Sequence, residues 1–252
     1  MCEEVKSMQK IGITERGDAG IDFSWTKNID ECEFAILITK NINKLFISKV
    51  LHYKEKVIIH ATITGFGGTV LEKNVPTLES SYTMLSALID AGFPKEQIVL
   101  RVDPIIPTSK GIANAKKVLE TISSLGIKRC RISFLDMYNH VKIRFAKNNV
   151  PLPYDTFTAP KEMIELAINT LENSFGNLYT FEACAEYVKC RVGCVSHKDA
   201  DILGKEIIFE SNIKQRKNCL CNSNKFELLN TKHPCIHNCL YCYWQDQTPQ
   251  KE

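Results

Sequence analysis

Short apolar, β-branched runs recur along the chain and are separated by stretches with helical periodicity. Each run has the length and composition of a buried strand. The runs are residues 10–14, 34–40, 57–65, 97–106, 129–138 and 178–184. Between them, apolar residues recur every three or four positions, which predicts helices, most clearly over residues 77–93, 114–127 and 159–175. Two of these helices are predicted to end at glycines, Gly92 and Gly126.

Strands and helices alternate about six times, which predicts a parallel sheet with right-handed crossovers. Such a sheet is either a full or partial (β/α) barrel or an open, doubly wound sheet. We favour an α/β barrel of about six parallel strands, because each strand runs into polar residues and the carboxyl rim of a barrel carries its active site. The polar residues at the strand ends are Glu15, Arg16, Asp18, Thr39, Lys40, Thr62, Thr64, Arg101, Asp103, Ser133, Asp136, Tyr138, Glu182, Cys184 and Glu186.

The length of 252 residues and the hydrophobic content of 44% are sufficient for one sizeable core. We predict one structural unit, in which residues 1–187 form the barrel and residues 188–252 form a cysteine-rich extension that closes over the barrel mouth. No apolar run reaches the roughly 18 residues of a membrane helix, and the N-terminal segment lacks the apolar part of a secretion signal. We therefore expect a cytoplasmic protein with no membrane partner. The net charge of +3 neither requires nor excludes a nucleic-acid partner.

The 11 cysteines indicate metal binding rather than disulfides, because the cytosol keeps thiols reduced. The densest group is Cys235, Cys239 and Cys242, a C-x3-C-x2-C spacing in which the aromatic Tyr241 precedes the last thiol. Three close thiolates can ligate three irons of a 4Fe-4S cluster and leave the fourth iron open to another ligand. The spacing therefore predicts an iron–sulfur site that the protein leaves incomplete.

This spacing, with its aromatic residue, resembles the signature of the radical S-adenosylmethionine (SAM) enzymes. The resemblance implies that SAM binds the open iron, and that the reduced cluster cleaves SAM to a 5'-deoxyadenosyl radical that abstracts hydrogen from a substrate. It also implies an electron donor such as a flavodoxin or a ferredoxin. In most of these enzymes the cysteine loop follows the first barrel strand, whereas here it comes last. Either residues 225–231 form a permuted strand that carries the loop to the barrel mouth, or the loop arrives there as a tail.

Nearly the whole chain resembles an uncharacterised prokaryotic family of domains of unknown function that has a radical-SAM-like cysteine cluster at its C-terminus. The resemblance rests on TKN (39–41), TGFG (64–67), NVP (74–76), RVDPI (101–105), ISFLDMY (132–138), CAE (184–186), QR (215–216), CLC (219–221) and CIHNCLYCYW (235–244). Residues 13–20, ITERGDAG, keep Arg16 and Asp18 but depart from the serine- and arginine-rich form of the family. The family implies no particular reaction or substrate.

A second group of cysteines comprises Cys184, Cys190, Cys194, Cys219 and Cys221. The resemblance to the family implies that the ligands among them are Cys184, Cys194, Cys219 and Cys221, and that Cys190 is not one. Four thiolates suffice for a structural zinc site or for a second iron–sulfur cluster. A C-x-C pair is tight for a zinc knuckle, which favours an auxiliary cluster. The remaining cysteines are expected to be thiols without a metal, namely Cys2, Cys32, Cys130 and Cys190.

Residue types at the predicted mouth indicate further roles. The residues expected to contact the cofactor are Lys40, Thr64, Gly65, Arg101 and Tyr241. Lys40 or Arg101 is expected to pair with the SAM carboxylate. The residues expected to bind hydroxyl or amino groups, or to act as acids and bases, are Asp103, Asp136 and Glu186. The GFGG segment lacks the Lys and Ser/Thr of a P-loop, and we interpret it as a place of close backbone approach.

Two other functions use the same residues. Cys235, Cys239 and Cys242 with His233 or His237 would make a Cys3His zinc site in a nucleic-acid or protein-binding module, where the neighbouring aromatic residues stack on a partner. A barrel enzyme that uses the three acidic residues without iron is a further alternative. The sequence ranks neither the substrates nor the oligomeric states.

Overall fold

The computed structural model describes residues 9–184, 188–209, 220, 224–229 and 235–244. The strands are β1 (Ile11–Ile13), β2 (Phe34–Thr39), β3 (Val57–Thr62), β4 (Ile98–Ile105), β5 (Arg129–Phe134), β6 (Thr180–Ala183), β7 (Cys190–Arg191) and β8 (Lys225–Glu227). The helices are α1 (Trp25–Asn28), α2 (Lys44–His52), α3 (Leu78–Asp90), α4 (Ser109–Ser123), α5 (Asn139–Lys147), α6 (Lys161–Phe175) and α7 (His197–Ile202). All six predicted strands and all three predicted helices are present. Gly92 and Gly126 follow α3 and α4 with φ angles of 92° and 74°.

The eight strands form one parallel sheet in the order β7-β6-β5-β4-β3-β2-β1-β8. Strands that follow one another in the chain are therefore neighbours, and the order does not reverse as it does in a doubly wound sheet. The protein has the predicted α/β fold of the barrel type, and the residues that the structure describes form eight strands rather than about six. Within the described ranges β7 and β8 are the edge strands, so the barrel is partial.

The strand β8 carries the chain back beside β1, with which it pairs in parallel. The Lys225 Nζ atom lies 2.8 Å from Glu15 Oε1. The Glu227 Oε2 atom accepts hydrogen bonds from the backbone N–H groups of Glu15, at 3.0 Å, and Arg16, at 3.1 Å. These contacts fasten β8 to the first rim loop. β8 thus forms part of the strand predicted over residues 225–231, while residues 230–234, which join it to the cysteine loop, lie outside the described residues and the route of the loop stays a prediction.

The outer face of the sheet packs against the helices in one large apolar core. Strand residues such as Leu37 and Leu100 and helix residues such as Leu85 and Leu119 are fully buried there. Burying a side chain of this size contributes about 1.5–3 kcal/mol. The helices α2, α3 and α4 begin with side-chain caps. The capping residues are Asn43, Thr77 and Thr108.

The inner face of the sheet carries a smaller apolar cluster that is filled by the segment after β7. Val195 and Ala200 of this segment are buried in the same cluster as Ile36, Ile58 and Val99 of the inner face. The segment that contains α7 therefore lies against the inside of the partial barrel.

A buried network of charges connects α7 to β5 and β6. Glu182 Oε1 lies 2.7 Å from Arg129 Nε, and Glu182 Oε2 lies 2.7 Å from Arg131 Nη2. The Nη1 atom of Arg129 lies 2.7 Å from Asp199 Oδ1. Burial alone would raise the pKa of Glu182, but the two guanidinium groups outweigh this effect and lower it. The carboxylate is therefore held in its charged form.

The predicted boundary at residue 187 stays a prediction. Two strands from beyond it, β7 and β8, belong to the barrel sheet. Among the helices in the described ranges, none has both the length and the apolar character needed to cross a membrane.

Candidate functional site

The terminal cysteine loop, residues 235–244, lies against the loop that joins β3 to α3. The Leu240 N–H group donates to the Leu71 carbonyl oxygen at 2.9 Å, and Asn74 Nδ2 donates to the Ile236 carbonyl oxygen at 2.7 Å. Because the β3–α3 loop leaves the carboxyl end of a parallel strand, these bonds place the cysteine loop at the barrel mouth.

One anchor of the cysteine loop is a hydrogen bond between the side chains of His237 and Asp18. The distance from His237 Nε2 to Asp18 Oδ2 is 2.8 Å, and both side chains are buried. The Asp18 carboxylate also accepts hydrogen bonds from Thr39 Oγ1, at 2.5 Å, and from the Lys40 N–H group, at 2.7 Å. Burial opposes the charge of Asp18, but these hydrogen bonds together lower its pKa. The first two rim loops are thereby tied to the middle of the cysteine loop.

A second anchor is built around Glu72, which is fully buried. Its Oε1 atom accepts hydrogen bonds from Lys40 Nζ, at 2.8 Å, and from the Tyr241 hydroxyl. Its Oε2 atom accepts a hydrogen bond from Thr64 Oγ1 at 2.6 Å. The Lys40 ammonium also lies 3.1 Å from the Tyr241 hydroxyl oxygen. Three predicted cofactor contacts, Lys40, Thr64 and Tyr241, are thus brought together by a carboxylate that the sequence analysis did not select.

A third anchor comes from α5. The Arg144 guanidinium donates to the carbonyl oxygen of Leu240 at 2.8 Å and to the carbonyl oxygen of Cys242. Because a guanidinium presents several donors in a fixed plane, it holds two successive turns of the loop in one orientation.

The three loop thiols differ in exposure. Cys235 is exposed, Cys242 is half-buried and Cys239 is buried. Burial raises the pKa of Cys235 to about 11 and that of Cys239 to about 12. The ammonium of Lys40 opposes this rise at Cys239, whereas the carboxylate of Glu72 adds to it. Metal binding at these thiols would therefore release protons.

In the part of the chain that the structure describes, no three His, Cys, Asp or Glu side chains are arranged to hold a single metal ion. A cluster distributes its thiolate ligands over several irons, so its ligands need not converge on one point. Both ring nitrogens of His237 have partners, since Nδ1 lies 3.3 Å from the Asn74 carbonyl oxygen and Nε2 contacts Asp18. His233, the other predicted histidine ligand, lies outside the described residues, as does Cys2.

Polar residues also line the inner face below the cysteine loop. Arg101 Nε donates to Asp103 Oδ2 at 2.8 Å, and the Arg101 side chain is 26% exposed. The charge of Arg101 is within reach of the Cys194 thiol and the Tyr243 phenol. Nearby His60 is buried, and burial together with the charges of Arg131 and Arg101 lowers its pKa well below the ordinary value. His60 is therefore neutral at physiological pH.

Aromatic rings cover the side of the loop next to Cys242. The ring centroids of Tyr138 and Tyr243 are 6.0 Å apart and nearly parallel, and those of Tyr243 and Trp244 are 5.3 Å apart. Phe157 packs edge-on against Tyr138 at 4.9 Å. These rings form an aromatic surface beside Cys242, on which Tyr243 is 44% exposed and Phe157 is 49% exposed.

The other predicted site residues that the structure describes follow the strands β3, β5, β6 and β7. Asp136 follows β5. Burial of Tyr154 raises the pKa of its phenol, and the charge of Asp136 raises it further. Gly65 has a φ angle of 77°, and a Cβ atom there would lie 2.6 Å from Asn114 Nδ2, as expected for close backbone approach. Cys184 and Cys194 pack against each other. Glu186, Cys219 and Cys221 lie outside the described residues.

The barrel sheet and the anchored cysteine loop extend over most of the chain. Residues 23–244 match the family described as a domain of unknown function, DUF1848. The chain belongs to this family. The DUF1848 match includes β2 to β8 and all three thiols of the terminal loop, and its description assigns no activity.

No curated protein is significantly similar to the DUF1848 chain. Among solved structures, the catalytic domain of a mannanase from Streptomyces sp. SirexAA-E is 13% identical. The likeness covers 70% of this chain and 74% of that chain, with a TM-score of 0.29. At this TM-score it supports no conclusion about the DUF1848 chain.

The sequence analysis missed the anchoring residues of the DUF1848 chain. Asp18 was recognised only as a rim residue, and His237 only as an alternative zinc ligand. Glu72 had a detectable signal, because it is a charged residue in the apolar and glycine-rich segment between β3 and α3. No sequence signal distinguishes Arg144, because it lies in a basic helix among other charged residues.

Proposed function

We propose that the protein is a radical SAM-like iron–sulfur enzyme whose cluster is held by Cys235, Cys239 and Cys242 at the mouth of the barrel. The main support is the position of the cysteine loop, which two buried carboxylates, Asp18 and Glu72, fasten to the carboxyl ends of the strands. In barrels of this type the active site lies at that end. A loop that served only as a surface zinc knuckle would not need two anchors on buried carboxylates, whose desolvation is costly.

The donor set of the loop leaves a place for an external ligand. Three thiolates would hold three irons of a 4Fe-4S cluster, and both ring nitrogens of His237 already have protein partners. When bound and reduced, the cluster would supply the electron that cleaves a carbon–sulfur bond of SAM and so yields a 5'-deoxyadenosyl radical. The protein supplies the ligands, their orientation and the exclusion of water.

The geometry separates the roles of the two cationic residues at the mouth. The Lys40 ammonium is already engaged by Glu72 and Tyr241, and its positive charge acts on Cys239. We therefore assign Lys40 to the support of the cluster ligands. Arg101 is partly exposed and bonded to a single carboxylate, Asp103, which makes it the better candidate for the SAM carboxylate.

Electron delivery requires an open side of the site. Cys235 is exposed and the neighbouring Ile236 is 61% exposed, whereas Cys239 is buried. We infer that an external donor, such as a flavodoxin or a ferredoxin, approaches the cluster from the side of Cys235. The substrate-side roles of Asp103, Asp136 and Glu186 stay predictions.

Iron content tests the assignment of the ligands. After anaerobic reconstitution, a Cys239→Ala variant is expected to hold about four irons per chain fewer than the unmodified protein, because a cluster does not persist on two thiolates. The matched control is Cys32→Ala, which removes a buried thiol from the outer core. Iron and acid-labile sulfide would be measured on both variants.

Two outcomes would contradict the proposal. In the first, Cys239→Ala keeps all of the iron. In the second, the unmodified protein binds stoichiometric zinc and no iron, which would favour the zinc-binding interaction module.

A further inference from the structure

The inner face of β3 carries two buried polar side chains, His60 and Thr62. Ile59 and Ala61 of this strand belong to the outer core, so His60 and Thr62, which alternate with them, point to the inside of the barrel. Their exposed fractions are 1% and 5%. Within the described ranges, neither His60 Nε2 nor Thr62 Oγ1 has a hydrogen-bond partner. A buried polar atom without a partner costs free energy that a bound ligand would recover.

A third atom of this kind belongs to Arg131 on β5. Cys130 and Ile132 are part of the outer core, so the Arg131 side chain also points inward. Its Nη1 atom donates to the Cys194 carbonyl oxygen at 2.8 Å, and its Nη2 atom donates to Glu182 Oε2 at 2.7 Å. The Nε atom is buried and has no partner among the residues that the structure describes. Arg131 therefore keeps one charged donor for a ligand.

The sheet register brings these side chains together. Thr62 is the register partner of Arg101 on β4, and Arg101 is the register partner of Arg131, so the three lie in one row across the inner face. His60 lies one inward-facing position below Thr62 on β3. Burial lowers the pKa of His60 most, and the charge of Arg131 has the next largest effect. The His60 ring is therefore close to the Arg131 guanidinium.

Two carboxylates of the inner face, Glu182 and Asp103, are already bound by arginines. Both oxygens of Glu182 accept hydrogen bonds from Arg129, at 2.7 and 3.1 Å, and one of them also accepts from Arg131. Asp103 forms an ion pair with Arg101. An acceptor for the Arg131 Nε–H group and for the hydroxyl group in the same row is therefore expected from a ligand.

The chemistry of the three atoms selects an anion. A guanidinium N–H group only donates, a threonine hydroxyl can donate to a charged oxygen, and a neutral imidazole donates from one of its nitrogens. A metal cation is disfavoured, because the charge of Arg131 would repel it. Carboxylate and phosphate oxygens accept several hydrogen bonds at once, and their bonds to charged donors are among the strongest in proteins.

We propose that Thr62, His60 and Arg131 bind a small anion, the carboxylate or phosphate group of a substrate, on the inner face of the barrel. Thr62 is the last residue of β3, so the site lies directly below the mouth that carries the cysteine loop. The side chains of Arg101 and Asp103, beside the site, are 26% and 21% exposed, so solvent reaches this part of the inner face. The inference rests on the proposed function, to which it adds the class of the substrate.

Histidine-ring nuclear magnetic resonance tests the site on the full chain without iron, because none of the three residues holds the cluster. Protein with isotopically labelled histidine rings is titrated with inorganic phosphate and, separately, with acetate at constant ionic strength. The His60 Nε2 resonance is assigned by its loss in His60→Leu. We expect at least one of the two anions to shift this resonance to saturation. A response to phosphate alone would indicate a phosphorylated substrate, and a response to acetate alone a carboxylate substrate.

Two threonine variants separate ligand binding from a structural role. Thr62→Val removes the hydroxyl and is expected to weaken anion binding about 10- to 100-fold, the equivalent of one hydrogen bond to a charged group. Because Thr62 Oγ1 has no partner in the described part of the chain, this variant should keep the melting temperature of the unliganded protein.

The matched control is Thr14→Val. Thr14 is also buried, but its Oγ1 atom accepts a hydrogen bond from the Ile38 N–H group at 2.8 Å. This variant is therefore expected to melt at a lower temperature and to bind the anion as tightly as the unmodified protein.

The proposal would be overturned if neither anion shifted the His60 resonance to saturation, or if Thr62→Val bound the anion as tightly as the unmodified protein. It would also be overturned if Thr62→Val melted as early as Thr14→Val, because the hydroxyl would then have a structural partner. The proposed function fails separately. Protein that binds the anion but assembles no cluster contradicts only the radical SAM assignment, and protein that holds a cluster and cleaves SAM but binds no anion contradicts only this site.

Discussion

Replacing Glu182 with glutamine is expected to lower the free energy of unfolding by about 3–5 kcal/mol, the usual cost of breaking a buried ion pair by neutralising one partner. The amide cannot compensate the charges of Arg129 and Arg131, which are both nearly inaccessible to solvent. The same carboxylate connects β5 and β6, and through Arg129 it is coupled to Asp199 of α7. The loss should therefore loosen the segment that fills the inside of the barrel.

The effect of this substitution should depend on pH in a defined direction. Glu182 has a folded-state pKa that the arginines lower despite its burial. Its contribution is thus fully present above the unfolded-state pKa of about 4.3 and is lost as the pH falls through the lower folded-state pKa. The difference in stability between the unmodified protein and Glu182→Gln should be greatest at neutral pH and should shrink below about pH 4.

Urea unfolding at a series of pH values measures both effects. Glu165→Gln is the matched control, because Glu165 forms an exposed i,i+4 pair with Lys161 and its loss should cost less than about 1 kcal/mol. A Glu182→Gln variant as stable as Glu165→Gln at neutral pH would show that the network contributes nothing to the fold.

Replacing Glu72 with glutamine is expected to weaken the retention of cluster iron at the terminal loop about 10- to 100-fold, the usual consequence of losing a group that orients metal ligands. The substitution leaves the Lys40 ammonium without its carboxylate and weakens the bond to the Tyr241 hydroxyl, one residue before Cys242. The loop would then be held by fewer contacts to the barrel mouth. The hydrogen bonds of Glu72 go to Lys40, Thr64 and Tyr241 rather than to a thiol. The substitution would therefore weaken iron retention by displacing the loop, not by removing a contact to a ligand.

The measurement is iron release to a chelator, followed by the loss of visible absorption. Glu79→Gln serves as the control, since Glu79 is an exposed carboxylate in the first turn of α3, close in sequence to Glu72. Equal release rates for the two variants would mean that the cysteine loop holds its position without the Glu72 anchor. A Glu72→Gln effect confined to stability, with unchanged iron release, would mean the same.

Much of the fold was predictable because the strand signal is local. β2 and β3 are nearly continuous apolar runs, and β4 to β6 are mainly apolar despite their buried charges, as expected for strands covered on both faces; their order follows from the alternation with helices. α5 was missed because only Val141 and Phe145 are buried on it, which gives little periodicity. β7 was missed because it has two residues, one of them exposed. Short elements of this kind are stabilised by their neighbours rather than by their own sequence.

The candidate site, like the fold, was only partly predictable from the sequence. The thiol spacing is local, so Cys235, Cys239 and Cys242 were identified directly. Their anchors were not, because Tyr241 and Glu72 are 169 residues apart and His237 and Asp18 are 219 residues apart. Contacts at this separation depend on the completed sheet, and above all on β8 beside β1.

The central claim is that the terminal loop holds a 4Fe-4S cluster with one iron open to SAM. Electron paramagnetic resonance of the reconstituted, reduced protein, recorded with and without SAM, tests it most directly. We predict a reduced-cluster signal whose g values shift when SAM is added, and no such shift in Cys239→Ala. A cluster signal that SAM leaves unchanged in the unmodified protein would contradict the claim.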